Sequence, residues 1–195
     1  MSTKAGGAVA GRRQRAVDAA IEVIAADGLR GLTHRAVDVR AGLPPGSTSS
    51  VFRTRTALLG GVLDRLVELD EAVLRDVPVT GWGSAAEIAE LLTGLLTYWL
   101  GPARSRTVAR LELYLDATRR AELTPELRTA NRRFRDRTAE GMRAAGLPDP
   151  DESARILLAQ LDGLLYDALA RPFAGGAEPE RLRRAVDVML RGQLG

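Results

Sequence analysis

Between residues 33 and 52 the chain reads THRAVDVRAGLPPGSTSSVF. A short helix-forming run leads to a break carrying Gly42, Pro44 and Pro45, and then to a second short run rich in hydroxyls. That is the spacing of a helix-turn-helix. Val37 and Leu43 supply apolar side chains for a small shared core, and Gly42 permits a tight turn where a side chain would clash. Ser47, Thr48, Ser49 and Ser50 then offer groups small enough to enter a major groove and reach base edges or phosphates. The surrounding charge suits that chemistry. Residues 1–55 hold nine Lys/Arg against four acids, a net of +5, whereas the remainder holds 19 against 21, a net of −2. On charge alone such a module reads equally as a polyanion binder or as a solvated surface.

Other chemistries find little support. The chain has no cysteine, which removes disulfides, thiol nucleophiles and thiolate metal sites, and its single histidine, His34, argues against a zinc centre. His34 with Ser47 and Asp38 contains the atoms of a catalytic triad, but nothing nearby suggests an oxyanion hole or a strained nucleophile turn. As a first-turn residue His34 either bonds a base or phosphate or has no duty at all. No glycine-rich phosphate loop is present, and no cofactor or metal is expected.

The aromatics lie mostly beyond the basic module. Phe52 precedes residue 80, and Trp82, Tyr98, Trp99, Tyr114, Phe134, Tyr166 and Phe173 follow it. Tyr98, Trp99, Leu111, Tyr114, Leu115 and Phe134 form a candidate lining for an apolar ligand pocket, with plain core packing as the alternative for each. Glu112 and Asp116, one turn apart, either meet a cationic ligand or sit as surface carboxylates. Arg132, Arg133, Arg135 and Arg137 spread around a helix and read as solvated.

The elements that must position these residues are helical throughout, so the fold class is all-α. Val17, Ala20, Ile21 and Ile24 mark an amphipathic helix from about Arg12 to Asp27, after a loose tail over residues 1–11, and Gly28 stops it. Thr33 caps a helix over His34–Arg40, and Pro45 suits the first turn before Ser47–Phe52. Thr54 caps a longer helix with Leu59, Val62, Leu63, Leu66 and Val73 on its apolar face, ending at the break Asp76–Gly83. Further helices are predicted near Ser84–Leu100, Pro102–Glu122, Pro125–Ala145, Asp151–Ala170 and Glu178–Arg191. The domains expected are a helix-turn-helix module over 12–55, a connecting helix over 56–76 and a helical body over 77–195. Leu91–Leu100, ten residues, is about half of a bilayer span, and Ala8-Val9-Ala10 lacks the apolar run a signal cleavage site needs. A cytoplasmic protein without a membrane partner is expected.

Two late stripes, Leu157, Leu161, Leu164, Leu165, Ala168 and then Leu182, Val186, Met189, have clean helical periodicity, with Gly163 placed for close helix approach. They suit either a four-helix dimer interface or packing against the chain's own body.

Residues 12–70 resemble the DNA-binding domain of the TetR (tetracycline-repressor-like) regulators. The resemblance is carried by AADGLRGLT at the end of the first helix, Thr33 opening the second, Ala41-Gly42-Leu43, Gly46, Phe52, Arg55 and Leu58-Leu59. It implies a homodimer on double-stranded operator DNA whose binding responds to a small-molecule effector, most simply a repressor. The late stripes then become the dimer interface. It also implies DNA contacts by Thr33 and Ser47, and a phosphate contact by Arg55 where the family usually has Lys. The DNA-binding set becomes Thr33, His34, Arg35, Pro45, Ser47, Thr48, Ser49, Arg53 and Arg55. Ser49, Val51 and Asp38 depart from the usual family residues, so no operator sequence carries over. The alternative is a helical small-molecule-binding protein without specific DNA recognition.

Overall fold

The computed structural model describes residues 2–77, 84–119, 124–144 and 146–194, and among these no residue is in a strand. The helices are α1 (Ser2–Gly31), α2 (His34–Ala41), α3 (Ser47–Val51), α4 (Arg55–Arg75), α5 (Ala85–Leu100), α6 (Arg104–Ala117), α7 (Thr124–Ala144), α8 (Pro150–Ala170) and α9 (Pro179–Leu194), with a 3₁₀ turn at Pro172–Ala174. Most of the expected Asp76–Gly83 break, Trp82 within it, and the expected helix ends at Glu122 and Ala145 lie outside the described residues.

The caps explain the boundaries. Thr33 Oγ1 accepts the Ala36 N–H at 3.1 Å, Thr54 Oγ1 accepts that of Ala57 at 3.0 Å, and Ser84 Oγ accepts that of Glu87 at 3.3 Å. Each satisfies a first-turn amide that lacks a helical partner. Gly28 interrupts α1 with φ 67° and ψ 179°, a backbone that an L side chain rarely adopts, so the break expected there is present and one further turn follows it. The tail is a correction: α1 begins at Ser2 instead of Arg12. Extending an established helix through Ala5, Ala8 and Ala10 adds one hydrogen bond per residue fixed and needs no new nucleus.

The chain forms two compact units, one of residues 1–73 and 108–128, the other of 74–107 and 129–195. In the first, α1 packs on α2 and α3 over Ile24, Leu32, Val37 and Phe52, all almost fully buried, joined by Leu58, Val62 and Leu113. Burying each such side chain contributes about 1.5–3 kcal/mol relative to leaving it in water. Arg65 pairs with Asp18 at 2.7 Å, and Arg110 pairs with the buried Asp70 at 3.0 Å. In the second unit α5 packs on α8 and α9 over Leu92, Leu96, Trp99, Leu157, Leu165 and Leu182.

This packing decides the late stripes. Leu157, Leu161, Leu165, Ala168, Leu182 and Val186 are buried in the chain's own core, and Leu164 and Met189 are half-buried against it. The six buried side chains thus pack within the subunit, while Leu164 and Met189 keep part of their surface in solvent. The solvent side of the same helices carries Ile156, Tyr166 and Val188 instead, with Phe173 87% exposed on the turn between them. No helix of the described residues is long and apolar enough to cross a membrane.

Candidate DNA-binding face and ligand cavity

The turn between α2 and α3 is built on Asp38. Gly42 closes α2 with φ 61°, and its N–H and that of Leu43 return to the Val39 and Asp38 carbonyls. The Asp38 carboxylate then accepts the Gly46 N–H at 2.8 Å, the Thr48 N–H at 2.8 Å and the Thr48 hydroxyl at 2.5 Å. One buried carboxylate thus holds the start of a five-residue helix that is far too short to persist alone. Burial pushes the Asp38 pKa up, but the Thr48 hydroxyl, the Thr48 and Gly46 amides and the nearby His34 outweigh it and hold the carboxyl below its ordinary range. A signal for this role was present in the spacing, an Asp eight and ten residues ahead of the Gly and Thr that open α3.

Thr48 is consequently no base reader. Its side chain is 0% exposed and committed to Asp38, and Ser47 is mostly buried as well. His34 has a task that neither sequence alternative named: its Nε2–H donates to the Phe52 carbonyl at 2.8 Å, tying the start of α2 to the end of α3. That bond and the three on Asp38 leave no His–Asp–Ser relay assembled. Arg55 also differs from its expected phosphate role. Its guanidinium donates to the carbonyls of Leu29 and Leu32, at the end of α1 beyond the Gly28 break. Arg fits that place because its planar fork spans two acceptors at once.

What remains outward is Thr33, Arg35, Pro45, Ser49, Ser50 and Arg53. Ser49 and Ser50 each donate to a carbonyl three residues back, at 2.9 and 2.6 Å. Their oxygens keep lone pairs free and are left with acceptor capacity only. Arg13 lies over the Phe52 ring at 4.2 Å, and Gly61 backs the same ring.

The second unit contains an apolar cavity of about 70 Å³. Leu91, Leu92 and Leu95 wall it from α5 and Leu157, Leu158 and Leu161 from α8, with Leu74 and Val77 at one end. Trp99 and Phe134 line it as expected, but the other four predicted residues do not. Tyr98 turns to Arg106, which hydrogen-bonds its hydroxyl and lies 5.4 Å from the ring centre. Leu111 and Tyr114 lie in the first unit, as does Leu115, which is 56% exposed. Arg137, read from sequence as part of a solvated run, lines the cavity instead. Its spacing from Phe134 and Thr138 puts all three on one side of α7. Glu112 and Asp116 border a separate polar crevice of the first unit, facing Asp27, Arg30, Arg55 and Arg119. Three carboxylates against three guanidiniums give that crevice no net preference for a cation.

No curated protein matches the chain significantly. A transcriptional regulator from Rhodococcus sp. Rha1 superposes with a TM-score of 0.80 at 26% identity, over 93% of this chain and 95% of its own. A TetR-family member from Streptomyces coelicolor A3 superposes with a TM-score of 0.69 at 31% identity, over 91% and 97%. The multidrug binding protein EbrR, solved with ethidium, gives 0.69 at 31% identity, over 91% and 98%. Residues 83–192 match the family described as tetracyclin repressor-like, C-terminal domain. With the helix-turn-helix preceding that domain, the chain belongs to the TetR family of transcriptional regulators.

Proposed function

We propose that the protein is a homodimeric repressor that binds a specific DNA operator and whose binding is modulated by a small molecule in the apolar cavity. The observation that carries this reading is the helix-turn-helix itself. A buried carboxylate fixes α3, and Thr33, Arg35, Ser49, Ser50 and Arg53 are left outward at one end of a basic module. Hydroxyl acceptors flanked by guanidiniums suit a duplex, the former for base edges and the latter for phosphates. Pro45, exposed just before α3, shapes the approach of the backbone.

The exposed apolar side of α8 and α9 supports the dimer. Ile156, Tyr166, Phe173 and Val188 would be covered by the same residues of a second copy across a two-fold axis. Such a dimer sets its two α3 helices at a fixed separation, and DNA accepts them only about 34–36 Å apart or at a multiple of that. A ligand that favours another arrangement lowers operator affinity by its differential binding to the two states. The helix starting after Thr54, α4, is the lever in this scheme.

Selection of bound duplexes from a random DNA pool tests the reading. A recovered palindrome with half-sites about one helical turn apart supports it. Failure to enrich any motif, both with purified protein and after adding cell extract to supply a co-repressor, leaves the protein as a ligand binder without DNA specificity.

A further inference from the structure

The cavity wall is largely hydrocarbon, and among its described lining residues Arg137 alone carries an ionisable side chain. No described carboxylate pairs with that guanidinium. One of its NH₂ groups donates instead to two backbone carbonyls, those of Leu74 and of Val77, the latter at 2.7 Å. Beside it, Thr138 donates its hydroxyl proton to the Phe134 carbonyl at 2.9 Å and keeps acceptor capacity only. A positive charge beside an apolar cavity, met among the described residues by carbonyl dipoles alone, repels a cation and attracts an anion.

Volume adds a second constraint. A cavity of about 70 Å³ is far below the roughly 300 Å³ at which ligand pockets begin, so a larger occupant has to move part of the wall. The part tied down by Arg137 is Leu74, in the last turn of α4, and Val77 just after it.

We infer that the effector is an apolar acid, a hydrocarbon body with one carboxylate or comparable anionic group, which takes the Arg137 donors from Leu74 and Val77 and so frees the end of α4. This rests on the reading of the cavity as the effector site. A charge-assisted bond replaces bonds to neutral carbonyls, which favours the exchange. Ethidium, the ligand in one EbrR structure, and proflavin, in another, are aromatic cations, and this cavity selects the opposite charge.

Calorimetric titration of the full chain with probes of one shape tests this: 2-naphthoate, 2-naphthamide and 2-naphthylmethylammonium, with ethidium alongside. Naphthoate is expected to bind about tenfold or more tighter than the amide, and the ammonium weakest. Arg137→Gln should erase the advantage of the acid and leave amide binding in place, while Arg137→Lys keeps part of it. Should Arg137→Gln fail to fold, the wild-type order of affinities and Leu95→Trp, which fills the cavity and should abolish all binding, still decide. Preference for the ammonium or ethidium overturns the acid and spares the cavity as effector site. A naphthoate preference that survives Arg137→Gln, or naphthoate binding that survives Leu95→Trp, places the acid elsewhere and overturns the inference. Binding of none of the four probes overturns both.

Discussion

Replacing Asp38 by Ala removes the acceptor of three hydrogen bonds in the turn that presents α3. The losses are unequal. Gly46 is exposed, so water replaces the carboxylate at its N–H. Thr48 is fully buried, so its N–H and hydroxyl lose a charged acceptor with nothing to take its place. Hydrogen bonds to charged groups are worth about 1.5–3 kcal/mol each, and two uncompensated losses give about 3–6 kcal/mol. At this chain length that is a fall in melting temperature of roughly 10 °C. Asp38→Asn keeps one acceptor but sets an NH₂ group against a donor, so about half the loss is expected. The pH dependence has a definite sign. A carboxyl whose folded pKa is depressed contributes stability above its unfolded value of about 3.9 and loses it as pH falls through the lower folded value. The gap between wild type and Asp38→Asn should therefore be full at neutral pH and narrow only in the acid range below about pH 4. Urea unfolding across pH, followed by circular dichroism, measures both. An Asp38→Ala protein within about 0.5 kcal/mol of wild type would refute the claim that this carboxylate holds the turn.

Thr48→Val should cost about 1.5–3 kcal/mol, the value of one buried bond to a carboxylate, and leave the sequence preference on DNA unchanged; a changed preference in a repeated selection would return Thr48 to the base-reading face. At Gly61 a Cβ would lie 2.5 Å from the Phe52 ring, so Gly61→Ala should destabilise the first unit by about 1–3 kcal/mol in thermal melts; a neutral result would mean that the ring moves freely. Arg53→Ala should flatten the salt dependence of duplex binding by about one unit of slope, whereas Arg55→Ala should lower stability and leave the slope alone. The reverse outcome in salt titrations would restore Arg55 as a phosphate ligand. Tyr166→Glu should convert dimer to monomer in sedimentation without lowering the melting temperature of the monomer, and an unchanged mass would remove the α8–α9 face as the interface.

Local features were legible in the sequence because their causes are local. Thr33 and Thr54 cap helices where a hydroxyl followed by an apolar-periodic run says they should, and Gly28 and Gly42 sit at positive φ where the runs stop. The partner of a stripe is not a local property. Leu157 and Leu182 have the same periodicity whether they meet a second copy or α5, and only the three-dimensional packing covers them from within. The hydroxyls of Thr48 and Ser49 are equally suited to a groove by size, yet one turns onto Asp38 and the other to solvent. Arg137 was hidden by its neighbours: in a run of arginines, three face solvent, and depth in the fold separates the fourth. The aromatic cluster failed for a related reason, since Tyr98 and Tyr114 belong to different compact units although 16 residues apart in sequence.

Specific recognition of DNA by two copies of this helix-turn-helix is the property on which the proposed function stands or falls. Its most direct measurement is fluorescence anisotropy of a selected palindrome and of a random duplex of equal length, titrated with the protein at near-physiological salt. An affinity ratio of about 10³ or more is expected, with an even number of chains bound per palindrome at saturation. Equal affinity for the two duplexes would contradict it.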